Sequence, residues 1–283
     1  MIGILTDSSA DIPKAIREKY DIACVPLTIT FGKEKYIDGV DLSIEEFYKK
    51  MRAFDKLPTT AVPSPGQFEV AFKKMAEKYD EILSIHISEK MSGTAGSART
   101  AAQALPNIKI TVVDSEVVHS LLGAMAVECA KKAQKGAGMS ELLDTINILK
   151  KRVKIYFIVP TLKYLQMGGR IGKAKGLIAS ALKIQPVLTL SEGEVAPYKT
   201  IRGWQNAKQL IIDSLAKDVK PDGTFNIIIG HADNLTEAKD IAEKCKEMFK
   251  PKELDIWEVG PVVGTHAGPG IIAAVNYENT GLD

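Results

Sequence analysis

A chain of 283 residues that is 45% hydrophobic and 25% charged can bury a full core in one large or two ordinary domains, which excludes a disordered or fibrous polypeptide. Its 37 basic and 35 acidic residues leave a formal charge of +2, too little for a nucleic-acid binder that works through bulk charge. Cys24, Cys129 and Cys245 lie far apart without CxxC spacing, and the four histidines are scattered, so buried free thiols in a reducing compartment and no metal site are expected.

The first strand candidate, Ile2 to Leu5, lacks the basic flank and longer apolar stretch of a signal peptide. No later run approaches the ~20 apolar residues of a membrane span, so a cytoplasmic protein is expected. The strand ends on Thr6-Asp7-Ser8-Ser9-Ala10-Asp11. Asp7 would repel an anion there and is read as an orienting residue, because no second acidic cluster completes a metal site. Asp11-Ile12-Pro13 carries capping chemistry for a helix over Pro13 to Lys19. A strand over Ala23 to Ile29 and a helix over Ser43 to Arg52 follow. In Thr59-Thr60-Ala61-Val62-Pro63-Ser64-Pro65 the prolines stiffen the backbone, which either presents Thr60 steadily or makes a plain capped loop. Ser64, Pro65 and Gln67 mark the start of a helix over Pro65 to Lys78 with a capping box.

A strand over Glu81 to Ile87 runs into the hydroxyl- and glycine-rich stretch Ser88 to Ala98 and a helix over Gly93 to Ala104. The first amides of a helix point outward without partners and with positive character. Gly93 admits a ligand close to the backbone, and Ser92 and Thr94 add hydroxyls, so this turn is an anion site for a phosphate or a carboxylate. The competing reading is an ordinary turn whose hydroxyls cap the helix. The stretch matches neither a Walker A loop nor a dinucleotide fingerprint. A strand over Ile108 to Val113, a supporting Asp114-Ser115, and helices over Val117 to Lys135 and Met139 to Lys151, broken at Gly136-Ala137-Gly138, complete this half. The alternation predicts an α/β domain over 1–152 with a mostly parallel sheet flanked by helices. Its ligand loops, 6–11 and 88–94, gather at the carboxyl ends of the strands.

The remaining residues, 153–283, read as an α+β domain with a mixed sheet. Strands are expected over Lys154 to Val159, Pro186 to Leu190, Val195 to Tyr198, Asn226 to Gly230 and Asp255 to Val259. Ser191-Glu192-Gly193-Glu194 is a hairpin turn signal, and Asn234 with Glu237 opens a helix over Leu235 to Phe249. Met167-Gly168-Gly169-Arg170-Ile171-Gly172 can fold tightly around a guanidinium, the natural bidentate partner of a carboxylate or phosphate; a solvated arginine is the alternative. Glu258 to Gly270 reads as a glycine-rich loop that is costly to order, with a helix opening at Pro269. His266 in that loop can donate to a bound anion or relay a proton.

These segments, taken in order, resemble the DegV family of bacterial fatty-acid-binding proteins. The matching pieces are Thr6-Asp7-Ser8, the Thr60 to Ser64 stretch, Ser92-Gly93-Thr94 with Ser97-Ala98, Asp114-Ser115, Gly168-Gly169-Arg170 and Gly264 to Gly270. Where members often have Ser-Gln after the threonine, this chain has Ala61-Val62, which removes two polar contacts at the pocket entrance. The resemblance implies a two-domain protein without a cofactor, holding a palmitate- or oleate-like fatty acid between its domains. It implies carboxylate binding by Thr60 and Ser92 within the Ser92-Gly93-Thr94 turn, with Arg170, His266 and Asp7 in the supporting network. It further implies a carrier subunit without catalysis of its own, serving a separate ATP-binding fatty acid kinase subunit in phospholipid synthesis. Arg202 resembles a basic position facing that partner or the phosphate. No nucleic acid is expected, and membrane contact would be transient. A stand-alone serine hydrolase or acyltransferase is the alternative; it requires Ser92 and His266 within hydrogen-bond reach and an orienting acid. Its local sequence is not a Gly-x-Ser-x-Gly elbow. A ligand-sensing regulator is the third reading.

Overall fold

The computed structural model describes residues 1–180, 184–219 and 223–278. The first half runs β1 (Ile2–Asp7), α1 (Lys14–Lys19), β2 (Ala23–Val25), β3 (Thr28–Phe31), β4 (Glu34–Ile37), α2 (Ile44–Ala53), β5 (Thr59–Ala61), α3 (Pro65–Ala76), β6 (Glu81–His86), α4 (Thr94–Gln103), β7 (Lys109–Asp114), α5 (Ser120–Gln134) and α6 (Met139–Arg152). Four of its strands form a parallel sheet in the order β2-β1-β6-β7. Side chains alternate across this sheet. Leu5 and Ile82 join Phe68, Phe72, Ala98 and Ala101 on the side of α3 and α4, whereas Ile4, Leu83 and Ile85 join Leu121, Leu122 and Met125 of α5. Both faces are covered, which is why β1 and β6 read as near-continuous apolar runs. Ser64 and Gln67 form the expected capping box, with Pro65 in the first turn of α3.

Several local expectations give way to tertiary context. The single strand expected over Ala23 to Ile29 splits at Pro26, which has no N–H for a ladder. β2 stays in the parallel sheet, while β3 enters a separate antiparallel sheet of order β4-β3-β5. Thr60 therefore lies on a strand, opposite Ile29, rather than in a loop. Asp11 does not cap α1, whose first turn has no side-chain cap; it adopts a left-handed conformation (φ +49°) and turns its carboxylate to His119. The helix expected from Val117 starts only at Ser120, because the Val117 carbonyl accepts the Ser88 amide and Glu116 and His119 have positive φ. Cys129 and Cys245 are buried free thiols as expected, but Cys24 is only half-buried.

The second half runs β8 (Lys154–Ile158), α7 (Lys163–Met167), a 3-10 segment over Gly172–Ser180, β9 (Gln185–Ser191), β10 (Glu194–Ile201), α8 (Trp204–Asp218), β11 (Phe225–His231), α9 (Leu235–Phe249), β12 (Glu253–Glu258), α10 (Pro261–Ala267) and β13 (Ile272–Glu278). Six strands form a mixed sheet in the order β10-β9-β8-β13-β11-β12, with β11 and β12 parallel and every other neighbouring pair antiparallel. The division expected between residues 152 and 153 lies in the link from α6 to β8. Ile227 and Ile229 pack with Ile211, Leu215, Ile241 and Cys245 of α8 and α9, while Ile228 faces the other way. Ile155, Phe157, Ala273 and Val275 share that inner face and join one core with α5 and α6 of the first half. The protein is thus an α/β chain of two domains with a continuous apolar seam.

Contacts across the seam fix the halves relative to each other. The β9–β10 hairpin turns at Glu192 and Gly193, both with positive φ, as a type I′ turn requires. Its Gly193 carbonyl accepts the Ser88 hydroxyl at 2.6 Å. Tyr48 of α2 donates to the Val259 carbonyl at 2.8 Å. Helix α10 then lies against α2, β3 and β5. It approaches closely at Gly264, where a Cβ would stand 2.6 Å from the Tyr48 hydroxyl. The glycine-rich run read as a loop is therefore partly helical, with Pro261 in its first turn. The helix expected from Pro269 does not form, because Ile272–Glu278 is a buried strand paired to both β8 and β11. Asn234 makes no side-chain cap on α9; it donates to Glu237, which instead ties α9 to Trp204 and Lys208 of α8.

Candidate functional site

Between the inner face of the six-stranded sheet and the first domain lies a cavity with about 820 Å³ of empty space, open solvent included. Its walls are apolar: Ile87 and Val118 come from the first domain, Ile155, Phe157, Leu190 and Ala273 from the sheet. The alternation of the strands supplies this wall, since Ile155 and Phe157 point inward while Tyr156 and Ile158 pack under α8.

Four of the polar residues singled out in the sequence line this one cavity: Thr60, Ser92, Arg170 and His266. Thr60 Oγ1 and His266 Nε2 are hydrogen-bonded at 2.8 Å, because α10 packs on β5. Arg170 Nε donates to the Met91 carbonyl at 3.0 Å, and its terminal nitrogen donates to the Gly168 carbonyl at 2.6 Å. The guanidinium is thereby held beside Ser92. Its polar partners among the described residues are backbone carbonyls, not carboxylates, so its charge is uncompensated at the cavity wall. Ser92 Oγ shares a hydrogen bond with Thr94 Oγ1 at 2.8 Å. Neither hydroxyl caps α4, which begins at Gly93 without a side-chain cap. The capping explanation of this turn therefore fails, and Ser92 stands on the cavity wall with Thr94 behind it.

The other expected residues stand elsewhere. Thr94 is fully buried behind Ser92, and a Cβ at Gly93 would meet open space. Asp7 does not line the cavity. Its carboxylate sits at the end of β1 and accepts from the Ser9 amide at 3.1 Å, the Ser9 hydroxyl, the His86 ring at 3.0 Å and the Ile87 amide at 3.1 Å. It thus positions the backbone of Ile87, a wall residue. Arg202 is exposed in the turn between β10 and α8, away from the cavity wall. The serine-enzyme arrangement is not assembled: Ser92 bonds Thr94, His266 bonds Thr60, and no carboxylate among the described residues is hydrogen-bonded to His266. Among the described residues there is no cluster of three or more metal-ligating side chains.

Burial, with the nearby Arg170 charge, pushes the His266 pKa down to about 4 from its ordinary 6.5. The imidazole is therefore neutral near pH 7. The unfolded chain takes up a proton near 6.5 that the folded chain refuses until about 4, so stability falls as pH drops through that window and levels off below it. Urea unfolding of the ligand-free protein should show wild type losing on the order of 2–3 kcal/mol more than His266→Gln between about pH 7 and pH 4. Parallel curves would remove the buried, neutral histidine.

A second polar group on the wall was not legible in the sequence. His119 is 4% exposed and lines the cavity. Its Nδ1 lies 2.7 Å from Asp11 Oδ2, whose pKa is raised by burial against the pull of His119. The backbone of His119 has φ +57° and ψ −140°, a costly conformation for a side-chain-bearing residue, and its amide is anchored on the Ser9 carbonyl at 2.9 Å. With 108 positions between Asp11 and His119, no spacing rule could have paired them.

Comparison with known proteins accords with this architecture. The family model described as "Uncharacterised protein, DegV family" matches residues 1–279. A DegV domain-containing protein of Halalkalibacterium halodurans is 33% identical over 277 residues, 98% of each chain. Among solved structures, a DegV family protein from Thermus thermophilus described as binding fatty acid superposes with a TM-score of 0.92 at 29% identity, covering 98% of this chain and 99% of that one. A stearic acid-binding protein from Eubacterium ventriosum gives 0.90 at 25% identity, covering 98% of both chains. The chain belongs to the DegV family.

Proposed function

We propose that this DegV family member holds one long-chain fatty acid in the cavity between its domains, with the carboxylate at Thr60, Ser92 and Arg170. The observation that carries this reading is an uncompensated guanidinium and two hydroxyls on the wall of a largely apolar cavity. A buried carboxylate costs several kcal/mol unless fully hydrogen-bonded. Hydrogen bonds to charge offset that at roughly 1.5–3 kcal/mol each, and each buried methylene contributes about 0.8 kcal/mol. The acyl tail thus supplies most of the affinity, and the polar group fixes the orientation.

The tautomer of His266 decides which way the Thr60 hydroxyl turns. A neutral imidazole with its proton on Nε2 donates to Thr60 Oγ1, which frees the Thr60 hydrogen for the carboxylate. The opposite arrangement would turn only lone pairs towards an anion. The turn at Gly93 and Thr94 supports Ser92, and Asp7 supports Ile87 from behind.

In the same reading the chain is a carrier without catalysis of its own. It presents the acid to an ATP-dependent kinase subunit, where a carboxylate oxygen displaces ADP from the γ-phosphorus to give the acyl phosphate. Arg202, exposed beside α8, would meet that partner or the phosphate. No helix among the described residues is long and apolar enough to cross a membrane; acyl exchange would proceed by transient membrane contact from the cytoplasm.

Native mass spectrometry of the purified protein, followed by solvent extraction, tests the ligand. One fatty acid per chain is the expected result. A bare mass, with no uptake of added oleate or palmitate, would overturn the reading.

A further inference from the structure

Ser88 is fully buried and stands at the base of the turn that carries Ser92. Its carbonyl accepts the Met91 amide at 2.9 Å and the Ser92 amide at 3.0 Å. Its hydroxyl accepts the Lys90 amide at 3.3 Å and donates across the seam to the Gly193 carbonyl at 2.6 Å. One residue thus closes the turn from within and ties it to the tip of the β9–β10 hairpin. The approach is close: a Cβ at Gly193 would stand 2.5 Å from Ser88 Oγ. The same hairpin braces the segment that carries Arg170. A Cβ at Gly172 would stand 2.5 Å from the Val195 carbonyl oxygen, and Lys173 pairs with Glu192 and Glu194. Arg170 closes the figure by donating to the Met91 carbonyl at 3.0 Å. Ser92 and Arg170 belong to different domains, so these contacts, and not chain connectivity, set the spacing between them.

We propose that Ser88 is a positioning residue for the carboxylate site, and that its bond to Gly193 sets the spacing at which the Ser92 hydroxyl and the Arg170 guanidinium meet one carboxylate. The inference rests on the fatty-acid reading and adds the contact that couples its two domains. Ser88 lies off the cavity wall and acts through the turn. Without its hydroxyl the turn loses its bond to the hairpin that also braces Arg170. A carboxylate held from two sides is sensitive to that spacing, because hydrogen bonds weaken steeply away from their best distance and angle. The acyl tail, held by non-directional apolar contact, is not. The coupling is reciprocal: a carboxylate that bridges Ser92 and Arg170 tightens the contact between Ser88 and Gly193.

The test compares palmitate with palmitate methyl ester on Ser88→Ala and on Ser214→Ala. The second variant deletes another fully buried serine hydroxyl, which donates to the Leu210 carbonyl at 2.6 Å within α8, far from the turn. Ser88→Ala should weaken palmitate about three- to tenfold and leave the ester nearly unchanged. Ser214→Ala should keep the wild-type ratio of the two affinities. In the wild type, amide hydrogen exchange over residues 88–92 and 191–194 should slow more with palmitate than with the ester at equal saturation, a readout that needs no variant. A Ser88→Ala protein that loses stability but keeps the wild-type ratio would leave Ser88 a purely structural residue and overturn the inference. An equal change of ratio in Ser214→Ala, or exchange that responds alike to both ligands, would overturn it too. Each of these results leaves the fatty-acid reading standing. Failure of the wild type to bind either ligand would overturn both.

Discussion

Arg170→Leu should lower the affinity for palmitate about ten- to a hundredfold at neutral pH while leaving the affinity for palmitate methyl ester nearly unchanged. The loss corresponds to roughly 1.5–3 kcal/mol, the worth of hydrogen bonds to a charged group. The ester comparison matters because Arg170 also holds the Met91 and Gly168 carbonyls. A guanidinium that served only to brace those carbonyls would cost the ester as much as the acid. Equal losses for the two ligands would therefore move the carboxylate site away from Arg170. Arg170→Lys keeps the charge but cannot reproduce the planar fork, and should fall between the two. The measurement is direct calorimetric titration with delipidated protein.

Asp7→Ala should cost about 3–5 kcal/mol of stability, with a drop in Tm on the order of 10 °C. Asp7 is 0% exposed. Its removal leaves the Ser9 amide and hydroxyl, the His86 ring and the Ile87 amide without an acceptor in the core. Buried donors stranded in this way carry the full penalty of desolvation. Asp7→Asn should recover little, because its amide nitrogen would face a ring of donors. Urea unfolding monitored by far-UV circular dichroism reads both variants. A cost below about 1 kcal/mol for Asp7→Ala would mean that water or a shifted loop replaces the carboxylate.

The architecture was largely legible because much of it is decided within a few residues. The capping box of Ser64 and Gln67 spans three positions, and the I′ turn at Glu192 and Gly193 spans two. The apolar runs of β1, β6, β8 and β11 announce strands because both of their faces are buried. The misreadings fall where tertiary contact overrode local preference. β5 is a strand only because β3 pairs with it. α10 is recognisable as a helix only once α2 and Tyr48 support its glycine-bearing face. Asp11 looked like a cap and instead serves His119.

The individual site residues were legible as types: hydroxyls at a strand-to-helix turn, an arginine between glycines, a histidine in a glycine-rich run. Their meeting was not. Thr60 and His266 are 206 positions apart, and Arg170 is 79 from Met91. By itself the sequence determined many of the strands, helices and turns, the family resemblance and the chemical nature of the candidate donors, because those depend on local periodicity, capping and residue type. Only the tertiary structure decided which donors share a wall, that the Arg170 charge lacks a carboxylate partner among the described residues, and that Asp11 pairs with His119. Those properties follow from how two separately built sheets pack across one apolar seam, and no local propensity encodes that packing.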